Sequence, residues 1–173
     1  MKSELKVLNS GDIAVSNAVV MWKNFAGNPD KFNKAGGDRN FTLRLDEEMY
    51  NTIKDKGFNI KMLNRRDDDV EDHYALKIKI GEKPFPKVIM ISGRNHKLLD
   101  KDTVGLLDEV MIDNVDLQFK GWAYEVGGRR GLSAYLSAIY VTIQTDEFVE
   151  KYEYLEEDSY IRDFVNDLFD TMR

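Results

Sequence analysis

Apolar and polar residues alternate most plainly between Asp113 and Gln144. Val115, Leu117 and Phe119 fall on one side of an extended segment, with Gln118, Lys120, Trp122 and Tyr124 on the other. That period of two is the pattern of a half-buried strand. Gly127 and Gly128 interrupt it, with Arg129 and Arg130 beside them. Paired glycines accept the positive φ of a tight turn, so the spacing predicts a β-hairpin with a basic tip. The return strand, Leu132 to Ile143, is rich in Tyr, Ile, Val and Ala. Two other segments alternate as cleanly. Phe41 to Asp46 places Phe41, Leu43 and Leu45 inward and Thr42 and Arg44 outward. Tyr74 to Ile80 places Leu76, Ile78 and Ile80 inward and Lys77 and Lys79 outward.

The remaining elements are read from shorter signals. Asn17–Phe25, Phe58–Leu63 and Lys87–Ser92 are apolar or β-branched enough for strands. Asp46 is the expected cap of a helix, with Glu47 and Glu48 favoured in its first turn and Gly57 beyond its end. A second short helix is expected between Leu98 and Val110, capped by Asp102 or Thr103. Residues 1–11 read as a polar lead, and Gly93 to Lys97 as a basic link. This makes about seven strands with no alternation of strand and helix, which argues against a doubly wound sheet. The expected architecture is mainly β: an OB-fold-like antiparallel barrel plugged by a short helix, over residues 1–145.

The last 28 residues carry a different period. Ile161, Phe164, Val165, Leu168, Phe169 and Met172 recur at helical spacing, the stripe of an amphipathic helix that Asp158 or Ser159 can cap. Burying such side chains is worth about 1.5–3 kcal/mol each, so the stripe is expected to dock on protein. Residues 146–173 are therefore read as an acidic linker and a partner-binding helix. A second copy of the chain is one candidate occupant.

Charge divides along the same boundary. The chain holds 25 basic and 31 acidic residues, a net charge of −6. Residues 146–173 hold ten acids and three bases, which leaves the body at +1. An acidic total is thus compatible with a polyanion partner for the body. There is no cysteine, and His73 and His96 are the only histidines. Disulfides and thiolate sites are thereby excluded, and two histidines argue against a multi-histidine metal centre and against His-based nucleophilic catalysis. The acidic run Asp67, Asp68, Asp69, Glu71 and Asp72 lacks the glycine and the twelfth-position glutamate of a calcium loop, and reads as a solvated turn. With no apolar run of membrane-spanning length and no secretory leader, a cytoplasmic, cofactor-free, non-enzymatic protein is the expectation.

Two features bear on partners. The outer side of the hairpin carries amide, ammonium, indole and phenol groups in a row, which suits base stacking and phosphate neutralisation. Equally, such a hairpin could cap a core edge with its aromatics. The stretch from Ala26 to Asn40 joins Gly, Pro, Asn and Asp to Lys31, Phe32, Lys34 and Arg39. A loop of this length is either a functional flap or a solvated connection.

The segments WKNFAGNPDKFN, GGDRNFTLRLD, KVIMISGRNHKLLD and DNVDLQFKGWAYEVGGRRGLSAYLSAIYVTI resemble phage and prophage single-stranded DNA-binding proteins with an OB-fold. The likeness spans roughly Asn17 to Glu150. It implies sequence-tolerant binding of single-stranded DNA in phage replication or recombination, and an acidic tail that recruits replication or recombination proteins. The tail departs from that pattern in ending FDTMR rather than in bare acids and an aromatic. On this reading Trp22, Phe32, Trp122 and Tyr124 stack bases. Phosphates are met by Lys23, Lys31, Lys34, Arg39, Arg44, Lys77, Lys79, Lys120, Arg129 and Arg130. Ile161, Phe164, Val165, Leu168 and Phe169 meet a protein partner. The alternative is a phage inhibitor or adaptor that binds a host protein through its acidic face.

Overall fold

A computed structural model describes residues 2–31, 34–66 and 70–145. Ten strands in this region form one sheet: β1 (Glu4–Val7), β2 (Ile13–Ser16), β3 (Val19–Asn24), β4 (Arg39–Leu45), β5 (Ile60–Met62), β6 (Tyr74–Ile80), β7 (Lys87–Ser92), β8 (Asn95–Leu99), β9 (Ile112–Val126) and β10 (Arg129–Ile143). One helix, α1 (Glu47–Ile53), follows β4. The main path through the sheet is β1-β2-β9-β10-β6-β4-β3, with β5 joined to β6, and β7 and β8 joined through β10.

Most pairs are antiparallel, as the alternation predicts, but β10 pairs in parallel with β6 and with β7. The sheet is therefore mixed rather than wholly antiparallel. The reason lies in strand length. β10 has 15 residues and accommodates two shorter strands in succession, β6 beside Ala134 and Tyr135 and β7 beside Ala138 to Thr142. A bulge between Leu136 and Ala138 separates the two stretches. An extra residue at a bulge bends and twists its strand, which lets one ribbon serve both ends of a curved sheet.

Local signals account for the rest. Asp46 caps α1, its carboxylate accepting from the Met49 amide at 2.8 Å. The polar lead is not loose: β1 and β2 form a hairpin whose second strand buries Ile13 and Val15. Gly93 and Arg94 turn β7 directly into β8, so the expected basic link is mostly strand. The expected helix over Leu98–Val110 contracts to a 3₁₀ turn, Val104–Asp108. Leu98 and Leu99 belong to β8, and the Asp100 carboxylate gathers the amides of Asp102 and Thr103 and the Thr103 hydroxyl into a local turn. Such side-chain bonds compete with helix formation. The chain from Asp146 onward, where the amphipathic helix is expected, lies outside the described residues, as do Phe32 and Asp67–Asp69.

The core is a single cluster that joins the buried residues of the strands to Met49 and Ile53 of α1 and to Val104 and Leu107 of the 3₁₀ turn. Phe25, Phe41 and Phe119 are fully buried. Phe25 stacks on Phe41 at 5.4 Å, and Phe58 meets Phe119 edge-on at 5.6 Å. Each such ring contributes about 1.5–3 kcal/mol by burial. Its other consequence is geometric. With Phe41, Leu43 and Leu45 of β4, Tyr74, Leu76, Ile78 and Ile80 of β6, and Val115, Leu117 and Phe119 of β9 committed to this core, the residues that alternate with them face outward together. Among the described residues no helix is long and apolar enough to cross a membrane.

Candidate nucleic-acid interface

Register turns the alternation of single strands into rows across the sheet. Lys120 of β9 stands opposite Tyr135 of β10, Tyr135 opposite Lys79 of β6, Lys79 opposite Asn40 of β4, and Asn40 opposite Asn24 of β3. Strands in a sheet lie about 4.8 Å apart, so this row runs about 19 Å across the outer face. Parallel to it, Lys77 faces Thr42, which faces Met21. On the ribbon, Trp122 faces Ser133 and Tyr124 faces Gly131. Cations and rings are interleaved: the Lys79 ammonium lies 5.9 Å from the centre of the Tyr135 ring, within reach of its negative face.

At the β3 end the outer face deepens into a groove of about 820 Å³, lined by Trp22, Lys31, Asn40, Lys61 and Lys77 among others. Asp30 and Asp38 also lie along it. Asn28 to Lys31 and Asp38 form one wall, and the 3₁₀ turn holds the chain just before them in place. The Asp108 carboxylate accepts from the amides of Phe25 and Ala26 at 2.8 and 2.9 Å. Gly105 permits the close approach, because a Cβ there would lie 2.9 Å from that of Ala26. Arg39 completes the clasp by donating from Nη1 to the Phe25 carbonyl at 2.8 Å.

Trp22 is presented by a distortion of β3. Its φ is +50°, and pairing with β4 slips between Met21 and Asn24. A bulky residue in the left-handed region is strained, and here the bulge sends the two neighbours apart. Trp22 is 67% exposed, whereas the Lys23 ammonium turns back to the Leu107 and Val110 carbonyls at 2.9 and 3.3 Å.

The structure thus sorts the residues singled out by sequence. Trp22, Lys31 and Lys77 share the groove. Lys79, Lys120 and Trp122 share the adjoining part of the sheet with Tyr135. Tyr124, Arg129 and Arg130 lie toward the ribbon tip, where Arg130 approaches the Glu125 carboxylate at 3.7 Å with both groups exposed. Lys34 is exposed on the loop. Lys23, Arg39 and Arg44 are engaged with the protein itself, Arg44 donating to Nε2 of His73 at 3.0 Å. Phe32 and the candidate partner residues from Ile161 to Phe169 lie outside the described residues.

Three residues join the face without having been singled out: Tyr135, Lys61 and Asn40. Tyr135 could have been found by folding the hairpin about Gly127-Gly128, which sets it opposite Lys120. Lys61 could not, because β5 has three residues and its partner strand follows a long connection.

The family model of the phage ssDNA-binding domain matches residues 2–171. Among solved structures, the chain is similar to the single-stranded DNA-binding protein from bacteriophage Enc34 in complex with ssDNA. The two are 15% identical, with 82% of this chain and 92% of that chain covered and a TM-score of 0.51. A C-terminal truncation of the Enc34 protein matches at 15% identity over 81% of this chain and 90% of its own, with a TM-score of 0.50. At that identity the likeness concerns the fold. No curated protein matches the chain.

Proposed function

The chain belongs to the phage ssDNA-binding domain family, and from that membership we propose that it binds single-stranded DNA across the outer face of its sheet. The observation that carries this reading is the row Lys120–Tyr135–Lys79–Asn40, with Trp122 beside it and the Trp22 groove at its end. Alternating rings and ammonium groups suit a strand whose bases are unpaired. Rings stack on bases of any identity, and the cations neutralise the backbone between them. Phosphate contacts fall to Lys31, Lys61, Lys77, Lys79, Lys120, Arg129 and Arg130. Stacking falls to Trp22, Trp122, Tyr124 and Tyr135, with Phe32 on the loop as a further candidate. Lys23, Arg39 and Arg44 serve mainly to hold the scaffold.

Such binding is non-enzymatic and largely independent of base sequence. It fits protection of exposed strands in the host cytoplasm during phage replication or recombination. The acidic segment from Asp146 onward then serves protein contacts through Ile161, Phe164, Val165, Leu168 and Phe169, with a second copy or a replication protein as partner.

The test is a titration of fluorescent oligothymidine at two salt concentrations, beside a duplex of equal length. The expected outcome is salt-sensitive binding of the single strand and much weaker binding of the duplex. Equal affinity for both, or for neither, refutes the reading.

A further inference from the structure

One part of the outer face is concave for a reason that sequence-tolerant binding does not require. The turn between β6 and β7, Gly81 to Pro86, lies beside the middle of the β9–β10 ribbon. Between them lies a cleft of about 360 Å³, walled by Phe85, Trp122 and Tyr135 with Lys120 at its side. Glu82 and Lys83 also border it. Ser137 sits within it, at the bulge where the β9–β10 ladder skips one residue between Leu136 and Ala138. The Ser137 hydroxyl oxygen is buried and has no hydrogen-bond partner among the described residues. Buried polar groups are nearly always paired, so an unmet hydroxyl on a residue that lines a cleft is one that a rotation about χ1 would turn toward a ligand's polar edge.

The chemistry of the walls limits what that ligand is. A lone phosphate would find Lys83 and Lys120 offset by the Glu82 carboxylate and three aromatic rings with nothing to stack on, and an aliphatic side chain would leave the hydroxyl unmet. A planar heteroaromatic ring meets both requirements: its faces against Tyr135 and Trp122, its edge toward Ser137. Continuity supplies the source. Tyr135 stands opposite both Lys79 and Lys120, so the cleft opens from the cationic row itself. We propose that this cleft receives one nucleobase of the bound strand, turned out of the run of stacked bases, and that Ser137 hydrogen-bonds its edge. The proposal rests on the outer face being the DNA-binding surface, and adds a subsite with a modest base preference. A hydroxyl both donates and accepts, so it can pair with the edge of any base, but not equally well with each.

Two variants of the full chain separate the cleft from the face around it. Ser137→Ala removes the hydroxyl alone. Gly81→Leu fills the cleft from its rim: a Cβ at Gly81 would lie 3.7 Å from Cδ1 of Tyr135, an ordinary contact the fold can accept. The probes are oligothymidine, oligoadenosine, and oligothymidine carrying a single 2-aminopurine. Wild-type protein is expected to quench 2-aminopurine and to rank the two homopolymers unequally. Ser137→Ala should change their affinity ratio by about threefold or more, as the loss of one hydrogen bond would. Gly81→Leu should lessen the quench, leaving the part due to the rings outside the cleft, while salt-sensitive binding persists. If wild type binds oligothymidine yet Ser137→Ala leaves the ratio unchanged, the subsite is refuted and the surrounding interface stands, whether or not Gly81→Leu folds. A quench undiminished by Gly81→Leu refutes it as well. If wild type binds no oligonucleotide, the interface reading itself fails and the subsite with it.

Discussion

Tyr124 and Gly131 face each other across the β9–β10 ribbon, and the ring lies where a side chain on residue 131 would be: a Cβ there would come within 2.6 Å of the phenol oxygen. The absence of a side chain at 131 lets the ring lie along the ribbon instead of standing off it. Gly131→Ala should push the ring aside at little cost to folding, because the clashing atoms are the far end of a side chain that can move. If Tyr124 stacks a base from its present position, oligothymidine affinity should fall by about 1 kcal/mol, the low end for one aromatic platform. Melting temperature and affinity measured together check this. An unchanged affinity with an unchanged melting temperature would place Tyr124 outside the interface.

Trp22 offers a contrast between stability and binding. Its φ of +50° is costly for any residue with a Cβ, by about 1–2 kcal/mol, and free for glycine. Trp22→Gly and Trp22→Ala should therefore weaken DNA binding alike, while the glycine variant is the more stable of the two by about 1 kcal/mol. Chemical denaturation of both variants measures the difference. Equal stability would mean that the bulge relaxes when the indole is removed.

Two lysines 54 residues apart on the groove should behave oppositely. Lys77 is exposed on the outer face, so Lys77→Ala should reduce the slope of log affinity against log salt by about 0.7, one single-strand phosphate contact, with stability unchanged. Lys23 donates to two carbonyls below the groove, so Lys23→Met should cost about 1.5–3 kcal/mol of stability and leave the slope as it was. A salt series with each variant and a thermal melt tell the two roles apart.

Deletion from Asp158 onward should leave the melting temperature of the body unchanged. The described core, from Ile13 to Ile143, closes around Phe25, Phe41 and Phe119 within residues 2–145. Affinity for oligothymidine should stay the same or rise, since acids are removed from the neighbourhood of a cationic face. Unfolding of the truncated chain would show instead that the amphipathic stripe completes the core.

Alkaline titration should expose Tyr74. Burial pushes its phenol above the ordinary tyrosine value, with Asp72, Tyr50 and Glu47 adding to the shift, and its ring stacks on Tyr50 at 3.8 Å. A folded-state value above the unfolded one means the unfolded chain gives up this proton first. The associated stability is complete below about pH 10, the unfolded tyrosine value, and is lost as pH rises beyond it. Tyr74→Phe should flatten stability against pH in that range, read by denaturation at pH 9 and above. An unaltered alkaline decline would assign it to other groups.

Much of this protein follows from local rules. Alternation alone assigned Val115, Leu117 and Phe119 to the core and Lys77, Lys79, Lys120 and Trp122 to the outer face, because a strand has two sides and only one is buried. Asp46 and the paired glycines at 127–128 determined a helix start and a hairpin tip, since capping and positive φ are properties of a few neighbouring atoms. The tertiary structure decided what depends on partners distant along the chain. Parallel pairing of β10 with both β6 and β7 is set by strand lengths and by a bulge that no composition marks. It is this pairing that brings Tyr135 beside Lys79. Lys23 and Arg39 looked like phosphate ligands because charge is visible in a sequence. The carbonyls that hold them come from residues 107, 110 and 25, and only the folded chain brings those acceptors within reach. The same holds for Ser137, an ordinary residue of a strand until the fold sets it in the wall of a cleft with the β6–β7 turn, its hydroxyl buried and unmet.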